Sequence, residues 1–546
     1  MGRVPFKLFV PLVTALAFGA AQAQDATPAE PLAQAEARFL DFLDADSAIG
    51  VIDSGLVIEY EGRDRAGWEA ERKTHYAQLT AALAALDKAT LSPADASALA
   101  AMQVTLADHD DPSAATTNDP AAHNCADASR TDLDYADLRA ALVSCFRELG
   151  NNISFEGRTI DRGTALQLLH EIEEPGRRMQ LFDAFRPLWN ALNAGNTPAS
   201  PWRRMIRMAA EDAAKNGSQI DAAAKAIGVT TADVERWLIE ILEAWRDTNP
   251  NHPVEPWDYR YDIGKANRAL ARALTADRFL PINKRFYADL GADLDGLNIL
   301  FDLGERADKS PLAYSDFLKR GRGGDNGWQR PRARIVGRYP VGGLFSINEL
   351  VHENGHAVHV SAIETRPAFM DWPDTIFTEA FADVPSWSVY EKSWQWKYLG
   401  QTTSQKDSLR LLYGLTALDV AWSLFEIRML RDPAQDPNRV WTDITREYLR
   451  IVPRPELPWW ALRVQLASEP GYMVNYGLGA VLTAEIRAKT RELIGPFDAG
   501  NANWYGWLSE RLLRYGSERS TQRLMQDFLG RPPSPAAVLA EIHRIR

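Results

Sequence analysis

The spacing of apolar side chains makes this chain mostly helical. From Ala29 to Leu91 apolar residues return every three or four positions in a stretch rich in Ala, Leu and Glu, the period of an amphipathic helix. The same spacing recurs over Gly163 to Leu192, Trp202 to Asn216 and Thr231 to Trp245, with breaks near Asn196 to Pro201 and Asn249 to Pro256. Asp108 to Asp127 is polar, dotted with Pro, and reads as a surface loop. Strand-like alternation is rare. Its clearest instance, Ala333 to Val341, lies between the glycine-rich stretch Gly321 to Gly327 and the pair Gly342-Gly343. From Ser346 onward the pattern returns to helix with short Pro-marked connections, and no internal repeat is present. The expected architecture is mainly α with one small sheet.

Composition narrows the function classes. With 546 residues, 46% of them hydrophobic, the chain can bury a large core. A net charge of -12 offers no basic footprint for nucleic acid. The 17 Trp, 16 Tyr and 20 Phe suit a core or the wall of a peptide groove equally well. An apolar run from Leu8 to Ala20 follows a Lys and Arg-bearing start and precedes Ala21-Gln22-Ala23, the pattern of a signal peptide over residues 1–23. The run is shorter than the roughly 20 residues that span a bilayer, so the mature chain is expected to be exported, periplasmic or secreted, with no membrane segment. Cys125 and Cys145 could form one local disulfide in such a compartment or remain two lone thiols.

The chemistry concentrates after the predicted strand. Ser346-Ile347-Asn348-Glu349 fits a capping box and predicts a helix from about Ile347. Within it, His352-Glu353-Asn354-Gly355-His356 puts two imidazoles four residues apart on one helix face, where both can reach a single zinc ion. His359 lies seven residues from His352, about 10 Å along the axis, too far to share that ion. A third ligand must come from another segment. Glu379 follows His356 by 23 residues, room for the first helix to end near Ile363, turn through Pro367 to Pro373 and return as a second helix. Asp383, four residues on, would share the zinc-facing side and accept the free N–H of a ligand histidine. Pro385 should disturb this helix just beyond. Two histidines and a carboxylate leave one zinc position open, the mark of a catalytic site, with Glu353 as general base for an attacking water.

Four blocks in order carry a family resemblance over roughly Pro256 to Ala484. They are Pro256-Trp257-Asp258-Tyr259-Arg260-Tyr261; Leu300-Phe301-Asp302-Leu303 through Arg306; the zinc motif with Ala357-Val358-His359; and Gly471-Tyr472-Met473-Val474-Asn475-Tyr476. They resemble the thimet oligopeptidase and oligopeptidase-F family of gluzincin zinc peptidases, while the residues around Glu379 look like the angiotensin-converting-enzyme family of the same fold. Asn354 stands for the family's usual Phe, the spacing to Glu379 is slightly short, and Ala467 stands where a loop histidine is common. The resemblance implies a two-lobed helical ellipsoid with one zinc in a deep central channel. The lobes would be residues 24–250 and a zinc-binding region over 251–546, interleaved in space. It also implies short peptides as substrates, Tyr472 and Tyr476 as catalytic phenols, and the strand near Val336 to Tyr339 as the channel edge. Gly321 to Gly327 would be a lid, a hinge or a plain surface loop. A dipeptidyl carboxypeptidase would further need an anchor for the substrate carboxylate, for which Arg463 is one candidate. A catalytically idle peptide-binding protein is the other class, and it predicts a damaged site, whereas every ligand and the base are intact.

Overall fold

A computed structural model describes residues 30–109, 123–249, 253–306, 309, 313–324 and 327–545. The signal-type segment 1–23 and residues 110–122 of the predicted loop lie outside them. The described residues are mainly helical with four small sheets. The helices that frame the site are α1 (Glu30–Asp53), α2 (Arg65–Ala85), α3 (Thr231–Thr248), α4 (Leu344–Ala362), α5 (Thr375–Ser386), α6 (Gln405–Arg431) and α7 (Val474–Ile494). The predicted span Ala29 to Leu91 is thus two helices, parted by a tight hairpin pairing Glu59 with Asp64. Gly163 to Leu192 is three shorter helices, because Pro175 and Pro187 each start a new one at a first-turn position that needs no N–H. A second hairpin, Ile153–Phe155 with Arg158–Ile160, was not legible in the apolar pattern.

One sheet lies against the metal-motif helix. Strands β1 (Leu300–Asp302), β2 (Tyr314–Lys319) and β3 (Arg332–Val336) take the order β1-β3-β2, with β3 parallel to β1 and antiparallel to β2. The strand predicted as a channel edge is therefore the central one, hydrogen-bonded on both sides and unable to take up another strand. Its Ala333, Ile335 and Val336 are buried, and the edge position beside α4 belongs to β2. The glycine-rich stretch is a hairpin, Arg322–Gly324 with Gly327–Gln329, tied to α1 where Arg322 donates to Asp41 at 2.8 Å and the Arg320 N–H donates to Asp44 at 2.8 Å.

A single apolar cluster runs from Leu32 on α1 to Ile545 near the end of the chain. Trp202, Trp422, Trp441 and Trp460 are among its fully buried side chains, so these aromatic residues serve the core. Cys125 and Cys145 are joined as a disulfide, which staples a short 3-10 turn to the helix Tyr135–Cys145. No helix among the described residues is long and apolar enough to cross a membrane.

Candidate metal centre

The helix carrying the two histidines begins at Leu344, three residues before the expected start, and not through the predicted capping box. Gly343 is the cap, at a φ of 108° that side chains other than glycine rarely adopt. The cap acceptor comes from elsewhere in the fold: the Phe345 N–H donates to Asn267 Oδ1 at 2.9 Å, and the Asn267 amide in turn donates to Glu171. Ser346 Oγ is buried without a partner, and Glu349 faces a cavity instead of its own helix end. The helix ends at Ala362 with Ile363 as its cap, as the spacing predicts.

The returning helix α5 is started by Asp374, whose carboxylate accepts the Phe377 N–H at 2.9 Å. It crosses α4 at very short range. A Cβ built on Gly355 would stand 2.6 Å from the Ala382 Cα, a distance real side chains do not tolerate. Glycine inside the motif therefore allows the backbone approach that delivers Glu379 to the histidines. Pro385 falls in the last turn of α5, where the helix is already closing into the 3-10 turn Trp387–Tyr390, so it disturbs nothing upstream.

The predicted ligand set comes together. His352 Nε2 and His356 Nε2 are 3.1 Å apart, and His352 Nε2 lies 3.4 Å from Glu379 Oε2. Donor atoms of all three residues fall within 4.8 Å of one another. Ligands held tetrahedrally at about 2.0–2.1 Å from zinc stand about 3.3 Å apart, so the constellation fits that ion in size as well as in donor type. Asp383 Oδ1 meets His352 Nδ1 at 2.8 Å and also accepts from Ser386 Oγ at 2.9 Å, the second-layer contact that fixes the ring and aims Nε2 at the ion. His359 is outside the set. It is buried edge-on against Trp372, Phe377 and Phe381, its ring nitrogens without partners, a packing residue that burial pushes down to about 3.

Charge at the centre follows from burial and from the triad itself. Burial alone would lower His352, but Asp383 and Glu379 outweigh it and hold the ring well above the usual histidine range. His356 is pushed down to about 3 by burial and by the charge of His352. Burial would raise Glu379, yet the two histidines bring it below the usual carboxylate range. Glu353 is raised to about 8, first by burial and then by Glu349 and Glu379; its Oε2 has no hydrogen-bond partner. The edge strand β2 backs this residue, with Ser315 Oγ donating to the Glu353 carbonyl at 2.7 Å.

Tyr472 and Tyr476 pack edge to face, 5.7 Å between ring centres. Both phenols are raised, foremost by burial and next by the negative charge of Glu379. Tyr476 also feels Arg463 and Arg162, and Gln465 Nε2 donates to its hydroxyl at 3.0 Å. The Arg463 guanidinium lies 5.4 Å from the centre of the Tyr476 ring, and Arg463 lines a cavity of about 190 Å³ together with Arg162, Arg260, Arg338 and Glu349. Asp161 pairs with Arg338 at 2.9 Å and Asp419 pairs with Arg463. Among the described residues Arg162 and Arg260 have neutral acceptors, the Leu462 carbonyl and His170 Nε2. Burial, with the other guanidiniums, pushes Arg162 down to about 10 and Arg260 to about 9. Of these arginines only Arg463 was legible as a site candidate; the others come from separate segments with no shared spacing.

The last part of the chain seats the two ligand helices. Thr483 Oγ1 on α7 donates to the Ala380 carbonyl at 2.9 Å, Tyr505 Oη donates to the Val358 carbonyl at 3.1 Å, and Thr521 bonds Asp374.

The fold is similar to that of two solved carboxypeptidases. The M32 carboxypeptidase from Deinococcus radiodurans R1 matches 94% of this chain and 98% of its own, with a TM-score of 0.55 and 16% identity. Metallocarboxypeptidase 1 of Trypanosoma cruzi matches 94% of this chain and 99% of its own, with a TM-score of 0.57 and 13% identity. No protein-family model and no curated protein sequence matches the chain. The likeness is one of fold, and it supports the zinc-peptidase fold read from the motifs.

Proposed function

We propose that this protein is a zinc-dependent carboxypeptidase that shortens peptides from their C-terminal end. The observation that carries the reading is the arginine-lined cavity near the His352, His356 and Glu379 set, in which the half-buried Arg162 and Arg260 have no carboxylate partner among the described residues. Two cations lining a cavity without a counter-charge call for an anion, and a free C-terminal carboxylate is the anion a peptide brings to them. The names of the two structural neighbours support the same reading.

His352, His356 and Glu379 would hold the metal. When bound, zinc polarises the scissile carbonyl and acidifies water at its open position. Glu353 takes the proton of the attacking water and hands it to the leaving amine, a role suited to a carboxyl whose burial raises its affinity for a proton. Tyr472 and Tyr476 donate hydrogen bonds to the carbonyl oxygen as negative charge develops there. Strand β2, the sheet edge beside α4, offers its free side to an extended peptide. In this reading the enzyme works in the exported compartment suggested by residues 1–23, and the disulfide supports that, since such bonds persist where conditions are oxidising.

The test is digestion of short peptides bearing a free or an amidated C-terminus by zinc-loaded protein, read by mass spectrometry, with Glu353→Gln and chelator-treated controls. Ragged loss of residues from free ends, with amidated ends spared and both controls silent, is the expected result. The mass lost per cut separates single residues from dipeptides. Internal cuts in amidated peptides would replace this reading with the oligopeptidase activity that the four motif blocks favour.

A further inference from the structure

Tyr472 sits on the turn that leads into α7, and that turn is held from outside. Met473, which follows Tyr472 and is the last residue before α7, is gripped at both of its backbone polar groups by side chains one turn apart on α6. Glu426 Oε2 accepts the Met473 N–H at 2.9 Å, and Ser423 Oγ donates to the Met473 carbonyl at 2.6 Å. Glu426 is 1% exposed and has no cation as partner, and its Oε1 makes no hydrogen bond. Burial pushes the carboxyl up to about 8, although the N–H groups of Gly471 and Met473 pull it down. An apolar residue of similar size would pack this position at lower cost. It would supply no acceptor for the turn.

We propose that Glu426, assisted by Ser423, is a positioning residue that sets the Gly471–Met473 turn so that Tyr472 and Tyr476 face the metal ligands. The inference rests on the catalytic reading of those two phenols. Glu426 touches neither substrate nor metal and acts through the turn alone.

The experiment is steady-state kinetics of zinc-loaded protein on a peptide with a free C-terminus. Glu426→Leu, Glu426→Gln and Ser423→Ala are each made in the parent and in a Tyr472→Phe/Tyr476→Phe background, with zinc content and melting temperature recorded for all. Glu426→Leu should lower kcat about 30-fold, within what a displacement of under 1 Å can cost, with KM changed less than about threefold and one zinc still bound. Glu426→Gln keeps an acceptor oxygen and should recover most of that loss. In the Phe background the Leu substitution should cost almost nothing further, because the groups it misplaces are gone. A parental kcat for Glu426→Leu, or a loss that persists undiminished in the Phe background, overturns the clamp. A Phe pair with parental kcat removes the tyrosine reading and the clamp with it, and is told apart because the loss then appears in no tyrosine variant. If Glu426→Leu does not fold, Ser423→Ala decides by the same criterion: a fall in kcat that vanishes in the Phe background supports the clamp, and any other pattern overturns it.

Discussion

The metal ligands and the arginine cavity are built in opposite ways. The ligands belong to two consecutive helices, α4 and α5, and the contact of Gly355 with Ala382 is enough to register one against the other. The cavity draws its cations from four distant places, Arg162, Arg260, Arg338 and Arg463, which meet only when the whole fold closes. Charge is handled differently too. The ligand set balances its charge internally, with Glu379 and Asp383 beside His352, whereas Arg162 and Arg260 have neutral hydrogen-bond partners and no carboxylate paired with them among the described residues. In the proposed reading one region would fix the chemistry and the other would read the substrate, so damage to either should leave a different signature.

The largest expected effect falls on the chemical side. Glu353→Gln should lower kcat about 1,000-fold while zinc and peptide still bind, measured by turnover and by calorimetry; near-parental turnover would exclude this residue as the base. Next is the contact that joins the ligand helices. Gly355→Ala must push α4 from α5 and should weaken zinc about 100-fold, with the binding of a C-terminal carboxylate nearly unchanged. If zinc binding is unaffected, the close approach is not what sets the ligands. On the other side, Arg260→Gln should raise KM about 30-fold for peptides with a free C-terminus and leave zinc affinity alone, as expected when one member of a buried charge pair is removed. An equal effect on amidated peptides would break the assignment of the cavity to the carboxylate.

The smallest effect is a graded one with pH. Before zinc binds, Asp383 and Glu379 hold His352 well above its usual range, so the ring carries a proton that the metal must displace. Zinc affinity should therefore rise with pH, about tenfold per unit below that raised value, and flatten once the ring is neutral beforehand. Asp383→Asn should move the flattening to lower pH. A zinc affinity independent of pH between 5 and 7 would show that His352 is neutral in the metal-free protein.

What could be read from the sequence follows the same division. His352, His356, Glu379 and Asp383 were legible because helix periodicity alone puts residues four apart on one face, and the prolines between the helices marked the turn. The start of α4 was misread because a capping box is a local pattern, while Asn267 supplies the cap from another helix and Gly343 the required backbone conformation. The strand around Val336 was found but placed at an edge, since alternation reveals a strand and not its neighbours. Arg162 carried no signal, and Arg260 appeared only as part of the Pro256 to Tyr261 block with no role attached: an arginine in a helical stretch has the same local pattern whether it meets solvent or a substrate. The joining of Cys125 to Cys145, left open by the sequence, depends on a turn that brings residues 20 apart into contact.

The contacts that Thr483, Tyr505 and Thr521 make with the ligand helices bear on when the protein can first act. A chain emerges from the ribosome N-terminus first, and by residue 379 every zinc ligand has been made. The two helices that carry them still lack their outer supports until more than a hundred further residues have followed. If the proposed activity needs those supports, a peptide-cutting centre would stay silent during translation, and the order of synthesis would do the work of an inhibitory pro-segment.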